Sequence, residues 1–228
     1  MIPVLLLARN FVRQNRWLLA AFMLWPFLLG AFAWSPHHPA NRDDVADDLR
    51  MEVFYGLVVV AFLTSSAIYN EERSRRIVGV LSKSVSHMQY LLGLWTGACC
   101  FAALYFLMTC VSVLWLLGYS EAIIHFAIFF LLRGLTASLW VSAVGLFFAT
   151  FLYPFVAAIL AGGAALAPLT LSRPNAVLAP VALLLKDADP FAVSIHWTAV
   201  AAALAESVLF LLLAAQIFVR RDVTVSIE

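Results

Sequence analysis

Residues 71–93, EERSRRIVGVLSKSVSHMQYLLG, are the only long polar run in the chain with a segment apolar enough to cross a bilayer on each side. Between Arg76 and Tyr90 the apolar residues recur at spacings of three and four, which predicts a short amphipathic helix. A helix of this kind between two membrane spans lies at the membrane surface, where a soluble partner can reach it. The stretch therefore predicts both a reversal of the chain and a docking site.

The composition of the chain is that of an integral membrane protein. Of its 228 residues 64% are hydrophobic and only 12% are charged, and the mean hydropathy is +0.96. A soluble domain of this size needs far more charge to cover its surface. The formal net charge of +1, with lysine and arginine confined to membrane-flanking positions, argues against a nucleic-acid partner.

The cysteines and histidines give no clear site. The three cysteines, Cys99, Cys100 and Cys110, fall in one apolar segment, which fits small core residues better than a disulfide framework or a zinc site. His37-His38 stand beside an acidic run and would suit a metal, but without helical spacing a solvated loop is the preferred interpretation. The basic residues near the N-terminus precede a stretch of spanning length with no small-residue cleavage site, so a cleavable signal is not expected.

The hydropathy pattern predicts an all-α integral membrane protein, a single domain over residues 1–228. Six transmembrane helices are expected at about 17–34, 53–70, 91–118, 129–151, 154–171 and 197–219. We expect an interfacial helix over residues 1–16, an acidic outer loop over 35–52 and an outer interfacial piece over 122–132. The charge-free run 134–172 is about twice the bilayer thickness at ~1.5 Å per residue, so it must turn back, at Leu152-Tyr153-Pro154. A short outer helix is expected over 175–185.

Six spans place both termini in the cytoplasm, and the basic residues support this orientation. Those expected on the inner side are Arg9, Arg13, Arg16, Arg73, Arg75, Arg76, Lys83, Arg220 and Arg221. Those expected on or near the outer side are Arg42, Arg50, Arg133, Arg173 and Lys186. The polar stretch 71–90 then faces the cytoplasm.

The polar stretch resembles the signature of ABC-2-type transporter permeases, the six-span membrane subunits of many bacterial export systems. Glu71 or Glu72 matches the acidic residue that ends span two in that family, residues 81–87 match its "leu-ser-x-pro-val-ser-arg" core, and residues 91–93 match its closing "leu-gly". Residues 218–222 resemble its terminal "phe-x-arg-arg-asp". The departures from the family pattern are Arg75-Arg76 for Gly-Thr, Ser84 for the proline, His87 for the arginine and Leu94 for a lysine.

The resemblance implies that residues 71–90 hold a coupling helix seated on a separate ATPase subunit. The residues implied in docking are Glu71, Glu72, Arg73, Arg75, Arg76, Val80, Leu81, Ser82, Lys83, Val85 and His87. It further implies two ATPases, which bind ATP and Mg, and a second permease, either a copy or a paralogue, in the inner membrane. The chain has no "G-x-x-x-x-G-K-[ST]" loop, so no nucleotide site and no enzymatic activity of its own are expected.

Two charged residues fall within predicted spans. Glu206 lies near the middle of span six, where a charge is costly and usually has a partner or a role. Arg133, near the outer end of span four, is its expected partner by sign. The pair would either line a path between two permeases or form a structural contact. A glutamate kept neutral by its apolar surroundings is a further alternative.

Other classes of function are less well supported. A six-span haem- or quinone-binding anchor of a redox complex would need facing ligands, and His125 and His196 both lie near the outer interface. A lipid-modifying enzyme would need polar groups clustered at one interface, and only the acidic stretch 43–48 offers any. The small residues 161–165 allow close helix packing, either within the subunit or at a dimer seam.

Overall fold

The computed structural model describes residues 2–33, 42–73, 85–118, 120–170, 176–186 and 196–220. Within these ranges the chain is helical and contains no strand. The described helices are α1 (Ile2–Gln14), α2 (Arg16–Ala33), α3 (Arg42–Arg73), α4 (His87–Leu117), α5 (Glu121–Ala149), α6 (Pro154–Thr170), α7 (Ala179–Lys186) and α8 (Trp197–Arg220).

Four of the described helices are long and apolar enough to cross a membrane: α3 from Asp47, α4, α5 from Ile123, and α8. This confirms the prediction of an all-α chain, and apolar helices of this length are those of a multi-pass membrane protein. The apolar parts of α2 and α6 are shorter. The count of six spans therefore stays a prediction.

The expected acidic loop over 35–52 is wrong for residues 42–52, which form the first turns of α3. The physical reason lies in the position of the charges. Acidic side chains at a helix N-terminus interact favourably with the helix dipole, so Asp43 and Asp44 favour a helix that begins at Arg42. One turn on, Arg50 donates to Asp47 at 2.6 Å on the exposed face. Residues 34–41, with His37-His38, lie outside the described ranges.

The expected outer interfacial piece over 122–132 is also wrong as a separate element, because α5 is continuous from Glu121 to Ala149. Ser120 caps it by accepting from the Ile123 amide at 3.3 Å. The turn expected at 152–154 is present, since α5 ends at Ala149 and α6 begins at Pro154. Proline suits the first position of a helix, where its missing N–H has no intrahelical partner.

Two glycines let α1 lie against α4. A Cβ atom on Gly93 would stand 2.6 Å from the Cβ of Leu7, and one on Gly97 would stand 2.8 Å from Cδ1 of Phe11. Gly93 and Gly97 are four residues apart on α4, and Leu7 and Phe11 are four residues apart on α1. The two helices therefore pack along the same face for at least one turn. The N-terminal helix is thus present and packs on α4, while its place at a membrane interface stays a prediction.

The small residues of α6 serve packing within the subunit. Ala161 and Ala165 are fully buried in a cluster with Leu57 and Ala61 of α3. Gly163 is exposed. The buried alanines therefore favour the core alternative over the dimer seam for this stretch.

The short helix expected before the last span is present as α7, and it packs into the bundle. Its Val181 and Leu184 are buried beside Ala199 and Ala203 of α8. Its position on the outer face is a matter of orientation and stays a prediction.

Candidate functional site

The ends of the polar segment meet two other helices in what we call the junction, formed by Gln14, Glu71, His87, Tyr90 and Phe218. These residues come from α1, the last turn of α3, the first turn of α4 and the last turn of α8. Residues 74–84, which link α3 to α4, lie outside the described ranges. The junction is therefore the described part of the site expected from the sequence.

A side-chain hydrogen bond ties α3 to α1. Nε2 of Gln14 donates to Oε1 of Glu71 at 3.0 Å. Glu71 is only 7% exposed, and a buried carboxyl group left without a donor is costly. The bond fixes the end of α3 where the polar segment starts.

An aromatic stack ties α4 to α8. The ring of Phe218 lies parallel to that of Tyr90, with centroids 5.9 Å apart and an interplanar angle of 11°. His87 meets Phe218 edge-on at 5.3 Å. Both Phe218 and Tyr90 are fully buried, so the stack fixes the start of α4 against the end of α8.

One polar atom of the junction is left over. The hydroxyl oxygen of Tyr90 is buried and has no hydrogen-bond partner among the described residues. Most buried polar groups are paired, so an unpaired one calls for a reason. An arrangement of these helices that gave this hydroxyl an acceptor would gain a hydrogen bond that the present one lacks.

The polar segment ends in a helix cap. The Ser86 hydroxyl accepts from the Gln89 amide, and the Gln89 side chain accepts from the Ser86 amide, each at 3.2 Å. This reciprocal capping box satisfies two amides that would otherwise lack partners. It sets the residue at which the chain leaves the segment and enters α4.

We expect Ser86→Ala to destabilise the protein by about 1 kcal/mol, because it removes one half of the capping box. Ser86→Asp keeps an acceptor and should lose much less. Unfolding by SDS in mixed micelles measures both. Ser120→Ala removes the corresponding cap of α5 and is the matched control, and a loss in Ser120→Ala alone would contradict a capping role for Ser86.

The predicted docking residues fall into three groups. Glu71 and Val85 point into the protein: the first is buried and the second packs against the core cluster around Tyr90. Glu72 and His87 are half-buried, and Arg73 is exposed. The rest lie outside the described ranges, namely Arg75, Arg76, Val80, Leu81, Ser82 and Lys83.

Glu206 has a different donor from the one expected by charge. Nε1 of Trp140 on α5 donates to Oε2 of Glu206 at 2.7 Å. Trp140 is 1% exposed, and its ring meets Phe210 edge-on at 6.1 Å. Arg133 is half-buried near the middle of α5, not near its end, and has an interaction of its own. Sequence reasoning missed Trp140, because nothing in a sequence shows which helices face each other.

A second buried carboxyl group lies at the other end of α3. Glu52 is 3% exposed, and its Oε2 accepts from the hydroxyl of Tyr105 on α4, which also contacts the Glu52 carbonyl oxygen at 2.9 Å. Its Oε1 has no partner among the described residues. Glu52 was placed in an outer loop from the sequence, so this contact between α3 and α4 was missed.

No group of three or more metal-ligating side chains is present within the described ranges. His125 and His196 are both exposed. All three cysteines are free, and Cys110 is buried with its thiol directed at the Ala127 carbonyl at 3.3 Å. The haem or quinone alternative gains no support from these positions.

Comparison with known proteins gave no family model that matches the chain and no curated protein that matches it. The resemblance to ABC-2-type permeases therefore rests on the residues of the polar segment and the C-terminal end of α8 alone. What the structure adds is the arrangement of the helices around them.

Proposed function

We propose that the chain is the membrane-spanning permease subunit of an ATP-driven ABC transporter, an exporter whose ATPase is a separate cytoplasmic chain. The ATPase docks on the polar segment 71–90. ATP and Mg are bound by the ATPase and not by this chain. Two ATPases and two permeases form the working unit. The chain lies in the inner membrane, and both of its termini face the cytoplasm.

The observation that best supports the proposal is the junction. Both ends of the polar segment are held in it, the first through Glu71 and the second through His87 and Tyr90. The same contacts include α1 and α8. A force applied to the segment would therefore act on four helices at once.

Burial divides the proposed docking residues by task. Glu71 and Val85 are turned inward, so they transmit movement and do not offer contact surface. The docking surface is expected between them, where Val80 and Leu81 provide apolar anchors and Arg75, Arg76 and Lys83 provide charge. Closure of the ATPases would move this segment as a rigid lever.

The unpaired hydroxyl of Tyr90 supports a junction with more than one arrangement. Its oxygen lacks a partner among the described residues, so a position of α4 relative to α3 that gave it an acceptor would gain a hydrogen bond. The carboxyl groups of Glu71 and Glu72 interact with it electrostatically and are candidate acceptors. A two-state element of this kind is what coupling to an ATPase requires.

The test is Leu81→Asp in the full chain, purified from its own membranes with its bound proteins. We expect the ATPase to be lost from the purified complex while the permease still inserts, because a charge in a desolvated anchor position abolishes docking. Proteins that co-purify are identified by mass spectrometry and tested for ATP hydrolysis. Val85→Asp is a poorer choice, since Val85 packs against the core and its loss would disturb folding.

The matched control is Tyr153→Asp, which places the same charge in the connection between α5 and α6. Tyr153 is 64% exposed and its ring meets Tyr69 near the end of α3 at 5.7 Å, so it lies at the same end of the bundle. It should retain the ATPase. An ATPase that stays bound to Leu81→Asp, or the absence of any ATPase from the wild-type complex, would refute the proposal.

A further inference from the structure

The last helix, α8, has three distinct faces. At about 100° per residue, its buried residues occupy one arc, centred on Ala203, Ser207 and Ala214. A second arc is exposed and wholly apolar, with Ala201, Leu204, Ala205, Val208, Leu212 and Val219. The third arc is exposed or half-exposed and comprises Thr198, Ala202, Glu206, Leu209, Leu213, Gln216 and Arg220. Four of these, Thr198, Glu206, Gln216 and Arg220, are the polar residues of the helix other than the buried Ser207.

We call this third arc the polar stripe. Its residues fall within about 80° of one another around the helix axis. Leu209 is 55% exposed and Leu213 is 38% exposed, so within the described ranges no helix of the chain covers the stripe. Two exposed faces of one spanning helix thus differ in composition, and one of them is suited to lipid while the other is not.

Lipid is a poor neighbour for the polar stripe. A carboxyl or amide group directed into hydrocarbon loses its hydrogen-bonding partners, and such groups in membrane helices face protein or water instead. Trp140 satisfies one oxygen of Glu206 from the side, but Glu206 remains half-exposed. The stripe therefore needs a cover that the described part of the chain does not supply.

The spacing along the stripe indicates what kind of cover fits. From Ala202 onward the residues recur at intervals of four, three, four, three and four. This is the seam of two helices packed with a left-handed crossing, in which side chains at such positions interlock. A second helix packed along the stripe is the surface that this seam matches.

Symmetry makes a second copy the best match. Copies in a membrane share one orientation, so their two-fold axis runs along the membrane normal and each residue meets its own counterpart at equal depth. The amide of Gln216 both donates and accepts, so two copies can bond each other. Ala202 allows close approach, and Trp140 holds one oxygen of Glu206 from the side of the stripe.

We propose that the polar stripe of α8 packs against the same stripe of a second copy of this chain. The proposal deepens the two-permease unit described above, and it rests on the proposed function only for the presence of a second permease. It needs no contribution from the ATPase. It also assigns the second permease as a copy and not a paralogue.

Disulfide cross-linking in isolated membranes tests the stripe. The chain is expressed without an added ATPase and with its own cysteines replaced (Cys99→Ala, Cys100→Ala, Cys110→Ala). Leu209→Cys and Leu213→Cys are then compared with Val208→Cys and Leu212→Cys, which lie at matched depths on the apolar arc. Because a disulfide requires Cα atoms within ~7 Å, we expect oxidation to give about tenfold more covalent dimer from the stripe positions.

Each other outcome counts against the proposal. Equal cross-linking from both arcs, stripe variants that stay monomeric, or stripe variants joined to a chain of another mass would each overturn it. Adding Leu81→Asp to Leu213→Cys should leave the dimer yield unchanged. An ATPase that stays bound to purified Leu81→Asp while the stripe variants still form the dimer contradicts the proposed function alone. Stripe variants that stay monomeric while Leu81→Asp loses the ATPase contradict the polar stripe alone.

Discussion

Phe218→Ala is expected to destabilise the protein by about 3 kcal/mol, the low end of the range for a buried phenylalanine. The low end applies because helices in a membrane are held together by packing more than by removal of apolar surface from water. Phe218 is fully buried, and its ring contacts the rings of both His87 and Tyr90. Its loss leaves the start of α4 without its support on α8.

The functional result should be more specific than the loss of stability. The segment 75–83 keeps its docking residues in Phe218→Ala, so the ATPase should remain bound. Its hydrolysis should no longer respond to the permease, because movement of the segment is no longer passed to α8. Purified complexes of wild type and variant, assayed for ATP hydrolysis in liposomes, measure this separation of binding from coupling.

Val219→Ala is the matched control, since it shortens the neighbouring side chain, which is 59% exposed. A change at such a surface position is usually within about 0.5 kcal/mol of wild type. Equal effects from Phe218→Ala and Val219→Ala would show that the end of α8 matters and not the stack. Full coupling in Phe218→Ala would remove the junction from the proposed lever.

The apolar elements of the fold could be predicted from the sequence, because spanning length and hydropathy are local properties. The turn before Pro154 and the four long helices belong to this class. The start of α3 could not be predicted, since the acidic stretch 43–48 fits a solvated loop and a dipole-stabilised helix end equally well. The sequence signal that the helical face continues was the apolar Leu49, one turn before Glu52 and two before Gly56, and the structure buries it.

For the candidate site, the sequence indicated a position but none of the contacts between helices. The polar segment pointed to residues 71–90, and its described ends do meet in one place. The hydrogen-bond partners lie in other parts of the chain. Gln14, which bonds Glu71, belongs to a segment expected only to lie on the membrane. Trp140, which bonds Glu206, belongs to an apolar run without distinguishing pattern. Pairing between distant helices depends on their rotation and register, which the hydropathy of each helix leaves open.

Tyr105→Phe is expected to destabilise the protein by about 2 kcal/mol, although it removes only one oxygen. Among the described residues the hydroxyl is the only donor to the Glu52 carboxyl group, whose other oxygen has no partner there. Deleting one member of a buried polar pair leaves the other desolvated and unpaired. SDS unfolding in mixed micelles measures the loss of stability. Tyr55→Phe is the control, because Tyr55 lies on α3 with Glu52 and is 37% exposed.

The double variant Glu52→Leu with Tyr105→Phe separates a hydrogen bond from simple packing. If the pair is a polar contact inside an apolar cluster, replacing both members by apolar side chains of similar size restores most of the stability lost in Tyr105→Phe. Strict additivity of the two single changes would instead mean that each side chain contributes by packing alone. Glu52 would then hold α3 to α4 by its shape, and the buried carboxyl group would have no part in fixing the helix pair that carries the polar segment.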